Sequence, residues 1–194
     1  MKRIGLFLLS FMLLSGCGQQ APQKPWGLLN LTGHMPDLQF NLTRDDGQPV
    51  DQSAFLGKLT LLYFGYTHCP DVCPTTLADL GTAIRQLGAQ ANQVQVLFVS
   101  VDPARDTPTV LKKYVNAFGP WFVGLTGSQA QLQALTKRYR VAYRLGEPDA
   151  QGNYTVYHSS AIFIFDKQGK ARLLAGFGDK PDVVATDLKR LLAE

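Results

Sequence analysis

Cysteine is scarce in this sequence, with three residues in a chain of 194. So few thiols cannot staple a domain of this length, and an odd number cannot all pair within one molecule. Charge of one sign is also lacking: 19 Lys and Arg stand against 15 Asp and Glu. No stripe of basic residues interleaved with aromatics runs along the chain, which sets nucleic acid aside as a partner. The apolar run at residues 4–14 has eleven residues where a membrane span needs about twenty. Internal repeats and low-complexity tracts are missing as well. Hydrophobic residues, at 45%, are frequent enough to exclude wholesale disorder and collagen-like sequence, and the length suits one compact domain.

The chain begins with an address. Met1-Lys2-Arg3 and the uncharged run after it read as the start and core of a signal peptide. The run ends in Leu14-Ser15-Gly16-Cys17, which resembles the lipobox of bacterial lipoproteins. That resemblance implies a lipidated Cys17 as the mature N-terminus, anchored to a membrane of a bacterial envelope with the domain on the periplasmic side. The alternative is an ordinary secretory signal in which Cys17 is incidental. Gly18 follows, so no Asp stands there as an inner-membrane retention signal. On this reading residues 1–16 are the signal peptide, 17–36 the lipidated cysteine and a flexible Gln, Pro and Gly tether, and 37–194 the domain. Loss of residues 1–16 removes Lys2 and Arg3 and lowers the net charge from +4 to +2.

Within the domain, strands and helices alternate. Leu38, Phe40 and Leu42 alternate with polar residues ahead of Asp45-Asp46-Gly47-Gln48, which predicts an opening hairpin. Residues 59–66 and 94–101 are near-continuous apolar runs, as central strands covered on both faces require. Pro74 is placed as a first helical residue, with Leu77, Leu80, Ile84 and Leu87 at helical spacing. A second helix starts at Thr107-Pro108, residues 121–125 form a short strand, and Ser128 with Gln131 makes a capping box for a third helix. A hairpin of residues 161–165 and 171–174 and a closing helix from Pro181 complete the order. The expectation is an α/β three-layer sandwich, with an N-terminal β-hairpin and helices on both faces of a central sheet, compatible with a thioredoxin-like fold.

The chemistry concentrates in Gly65-Tyr66-Thr67-His68-Cys69-Pro70-Asp71-Val72-Cys73-Pro74. Two thiols stand at the C-terminal edge of a central strand and the start of a helix, where open α/β sheets place their sites. A helix N-terminus favours thiolate, which makes Cys69 and Cys73 candidate nucleophiles and metal ligands. A plain structural disulfide is the alternative, although a bridge closing so short a loop gains little. His68 is read as a neighbour of the thiol or as strand-end surface, because adjacent side chains on an extended segment diverge. Tyr63, Phe64, Phe163 and Phe165 are read as core.

This motif, followed by Ser100-Val101-Asp102-Pro103-Ala104-Arg105-Asp106-Thr107-Pro108 and by His158-Ser159 before a strand, resembles the Sco/SenC family over roughly residues 35–192. The resemblance implies a copper-handling assembly factor for cytochrome c oxidase, with one copper ion held by Cys69, Cys73 and His158. Soft sulfur selects Cu(I) and imidazole also suits Cu(II), so either oxidation state is tolerable. Three ligands leave the ion open to a partner's ligand. Zinc is the chemical competitor, but a closed structural zinc site wants a fourth ligand. Asp102 is expected to orient or polarise the site, with pairing to Arg105 as the alternative. Tyr157 departs from the acidic residue that family members commonly carry before the histidine.

Two functions follow from the resemblance. In one, the protein delivers copper to, or prepares, the dinuclear copper centre of cytochrome c oxidase subunit II, or of another copper-receiving protein, after loading by a copper donor. In the other, Cys69 and Cys73 form a redox-active pair, able to close a disulfide, that reduces the copper-ligand cysteines of that subunit. A third reading, a peroxiredoxin-like peroxidase, rests on Thr67 upstream of Cys69, but the proline-flanked threonine pattern of that family is missing.

Overall fold

The computed structural model describes residues 25–194. The signal peptide and Cys17 lie outside the described residues. Ten strands and four α-helices follow one another as β1 Leu29–Asn30, β2 Asn41–Arg44, β3 Pro49–Asp51, β4 Leu59–Gly65, α1 Val72–Arg85, β5 Val94–Ser100, α2 Pro108–Asn116, β6 Phe122–Thr126, α3 Gln129–Arg138, β7 Tyr143–Leu145, β8 Val156–His158, β9 Ile162–Phe165, β10 Ala171–Ala175 and α4 Pro181–Leu192. Eight strands form one sheet in the order β1-β10-β9-β4-β5-β6-β2-β3, and β7 with β8 forms a separate ribbon.

The apolar runs explain the centre. Every residue of β4 and β5 is buried, and the two pair in parallel from Leu59 with Val94 to Gly65 with Ser100. β6 continues the parallel set, whereas β9 joins β4 antiparallel. Right-handed crossovers put α1 and α2 on the same face, and α4 packs beside α1. Tyr139, directly after α3, lies against Phe64, Phe163 and Phe165 on the other face. The molecule is thus a mixed α/β sandwich with helices on both faces of its central sheet.

Three local expectations change. The first concerns the tether, which the composition extends through residue 36. Leu28 is buried, its backbone N–H donates to the buried Asp187 carboxylate at 2.8 Å, and β1 pairs with β10. The segment from Leu28 onward is therefore part of the fold, because β10 would otherwise expose an unpaired edge. The second is that α1 begins at Val72, not Pro74. A proline two positions into the first turn lacks only an N–H that has no helical partner there. The third is the β7–β8 ribbon, which no sequence pattern announced.

Candidate metal centre

β4 ends at Gly65, and the chain turns through residues 66–71 into α1. Cys69 lies in the turn and is part-exposed; Cys73 is the second residue of α1 and is fully buried. The helix start joins them directly, since the Cys73 backbone N–H, one of the donors a first turn leaves unused, points at Cys69 Sγ at 3.4 Å. Gly65 makes room for this packing. A Cβ there would stand 2.6 Å from Phe98 Cε2 and 3.1 Å from Cys73 Sγ.

His158 arrives from far away in sequence by a short route in space. It closes β8, where it pairs with Tyr143, and four residues later the chain enters β9. Ile162 at the start of β9 pairs with Tyr63 of β4, two residues before Gly65. His158 Nε2 comes to rest 3.3 Å from Cys73 Sγ. The other ring nitrogen, Nδ1, lies 2.9 Å from the Ser159 carbonyl oxygen. A carbonyl only accepts, so Nδ1 carries the proton and Nε2 offers its lone pair to the site. Tyr66 and Tyr63 hold the imidazole edge-on, at centroid distances of 6.0 and 6.2 Å.

Donor atoms of Cys69, Cys73 and His158 all lie within 4.8 Å of one another. Two sulfurs and one imidazole nitrogen suit a soft or borderline cation. Burial keeps the imidazole neutral by lowering its pKa, with a smaller opposing effect from the Ser159 carbonyl. Burial also pushes the Cys73 thiol up to about 12, against a weaker downward pull from the Tyr66 backbone. A helix N-terminus by itself favours thiolate. At Cys73 desolvation wins, so a cation must displace the proton as it binds.

A second network braces the turn. Asp106, fully buried, accepts from the Thr67 backbone N–H at 2.9 Å and from the Thr67 and Ser100 hydroxyls, each at 2.6 Å. It thereby ties the cysteine-bearing turn to the end of β5. His68 is exposed, with Nδ1 3.1 Å from Thr67 Oγ1 and 3.7 Å from Asp106 Oδ1, and stays outside the ligand group. Asp102 makes no hydrogen bond to Cys69, Cys73 or His158. Its carboxylate accepts from the Tyr154 hydroxyl at 2.7 Å and pairs with Arg105, and both nitrogens of His158 are engaged elsewhere. Its link to the site is indirect: the Arg105 guanidinium lies 3.7 Å from the Tyr154 ring centroid and 5.7 Å from that of Tyr66. Sequence reading missed the bracing role of Asp106, although the residue stands in the Asp102–Pro108 segment.

A groove of about 300 Å³ lined by Tyr66, Cys69, Val72, Val156, Tyr157 and His158 opens at the donor group. Tyr157 is 55% exposed at its rim, with Arg144 stacked at 4.7 Å. Among the described residues no helix is long and apolar enough to cross a membrane.

The family model described as SCO1/SenC matches residues 33–193. A SCO2-like protein of Rickettsia felis is 35% identical over 164 residues, which cover 82% of this chain and 78% of that protein. The mitochondrial SCO2 homolog of Mus musculus is 36% identical over 79% of this chain, which spans 61% of its length. Among solved structures, Bradyrhizobium japonicum ScoI with copper bound is 39% identical with a TM-score of 0.73, covering 80% of this chain and 98% of that one. BsSco, in which a disulfide switch was identified, is described as a member of the Sco family of cytochrome c oxidase assembly proteins. It is 25% identical with a TM-score of 0.65, covering 88% of this chain and 99% of that one. With nearly all of its described length matched in both sequence and fold, the chain belongs to the SCO1/SenC family, whose structures are thioredoxin-like.

Proposed function

We propose that this protein binds one copper ion through Cys69, Cys73 and His158 and delivers it to, or prepares, the dinuclear copper centre of cytochrome c oxidase subunit II. The carrying observation is the convergence of three donor atoms within 4.8 Å, two of them sulfur. Two thiolates and a neutral imidazole neutralise Cu(II) and leave one negative charge around Cu(I), so the site tolerates both states. Copper bound in the related ScoI, and the oxidase-assembly role named for the family of BsSco, support the same reading. Three ligands and an open groove leave a side from which a copper donor or receiver can offer a further ligand. The residues' roles follow from their placement. Buried Cys73 and half-buried His158 fix the ion's depth, and part-exposed Cys69 faces exchange. A lipid on Cys17 anchors the domain to a membrane on the periplasmic side.

The test is copper titration of the reduced chain beside His158→Ala. The parent binds one equivalent and shows sulfur-to-copper charge-transfer absorption with Cu(II). Retention of that absorption unchanged in the variant sinks the three-ligand site.

A second reading, reduction of the receiving subunit's cysteines, is favoured by the pairing of a part-exposed with a buried thiol. Cys69 would attack a disulfide sulfur of the acceptor and Cys73 would release it, passing two electrons and closing a Cys69–Cys73 bond. Reduction of an oxidised acceptor by the protein with copper chelated away would favour this role over delivery.

A further inference from the structure

Tyr63 is fully buried on β4, yet its hydroxyl has no hydrogen-bond partner. A buried phenol without a partner is costly, and a core phenylalanine of nearly the same shape would avoid the cost. Burial raises the pKa of this phenol, and Cys73 and Thr76 of α1 are the side chains that act on it next. Thr76 already donates its hydroxyl to the Val72 carbonyl at 2.8 Å. Cys73, as a thiol, is a poor acceptor, and its sulfur stands 3.3 Å from the lone pair of His158 Nε2. The same tyrosine ring supports the His158 imidazole edge-on. Tyr63 therefore stands beside two of the three candidate ligands.

We propose that Tyr63 is a positioning residue of the metal centre, whose hydroxyl donates to the Cys73 sulfur once that sulfur is a metal-bound thiolate. The inference rests on the three-ligand copper site. Thiolate is a strong acceptor where thiol is not, so metal binding supplies the partner that the phenol lacks. A hydrogen bond to sulfur withdraws electron density from it. The ion then feels a weaker donor, which favours the reduced state and shifts charge-transfer absorption to higher energy. Burial excludes water from the contact and strengthens it. Tyr114 of α2 supplies an internal comparison. Its hydroxyl is also buried and unpartnered, and burial and then the charges of Cys73 and Cys69 act on it through space, with no hydrogen bond to either sulfur.

The experiment compares the full chain with Tyr63→Phe and Tyr114→Phe, each loaded with Cu(II) and with Cu(I). In Tyr63→Phe the sulfur-to-copper band moves to longer wavelength. The ratio of Cu(II) to Cu(I) binding constants rises about tenfold, equivalent to a fall of about 59 mV in the one-electron potential. Tyr114→Phe leaves band and ratio unchanged, and neither variant melts lower than the parent before copper is added. An unmoved band and ratio in Tyr63→Phe overturn the proposal. So does a Tyr63→Phe that melts lower before copper addition with its spectrum intact, since the hydroxyl would then serve the fold alone. Failure of the parent to bind copper is a separate result that removes the site itself.

Discussion

The candidate site is closely packed around Cys73. Gly65 is the tightest case, because the ring of Phe98 and the sulfur of Cys73 occupy the space a side chain would need. Gly65→Ala should cost about 1–3 kcal/mol in urea unfolding, the range for overpacking a filled core, and should weaken copper binding at the same time. His158→Ala should lower copper affinity by more than the ~10–100-fold that loss of an outer-shell partner costs, read by competition with a chelator of known affinity. The cysteine pair was legible in its motif because spacing and a strand-to-helix junction are local facts. His158 was not legible that way. Only the resemblance pointed to a histidine 85 residues beyond Cys73, and only the β8–β9 path shows how it gets there. Tyr63 read as ordinary core, since no pattern in a single chain reveals that a buried hydroxyl will lack a partner.

Among the elements, central strands announced themselves and edges did not. β4 and β5 are apolar throughout and needed no tertiary information, and the Ser128–Gln131 capping box fixes the start of α3 as expected. β1, two residues long and exposed, has no pattern of its own and exists because β10 offers an edge. The β7–β8 ribbon is nearly as short, three residues a side, yet it positions His158. Packing on the N-terminal segment is secured by Asp187, which accepts from the Leu28 N–H and pairs with Arg190. Asp187→Ala leaves the buried Leu28 N–H without its acceptor and should cost about 1–3 kcal/mol. Limited proteolysis should then cut near residues 25–31 well before the rest of the domain opens. Unchanged cleavage would show that β1 is held by its pairing alone.

For the molecule as a whole, the site straddles elements distant in sequence: the β4–α1 turn on one side and the end of β8 on the other. A cation bound to both links them in the folded state only. Free copper at about a thousand times the dissociation constant should therefore stabilise the domain by about 4 kcal/mol. For a chain of this size that is a rise in melting temperature of about 8–16 °C. Cys69→Ser should lose most of the rise. The central claim is that one copper ion sits on two sulfurs and one histidine nitrogen supplied by residues 69, 73 and 158, and X-ray absorption at the copper edge tests it most directly. One equivalent of Cu(I) on the reduced chain should show two sulfur scatterers and one nitrogen, with the nitrogen contribution lost in His158→Ala. Scattering from sulfur alone in the parent, or an identical spectrum in the variant, would contradict it.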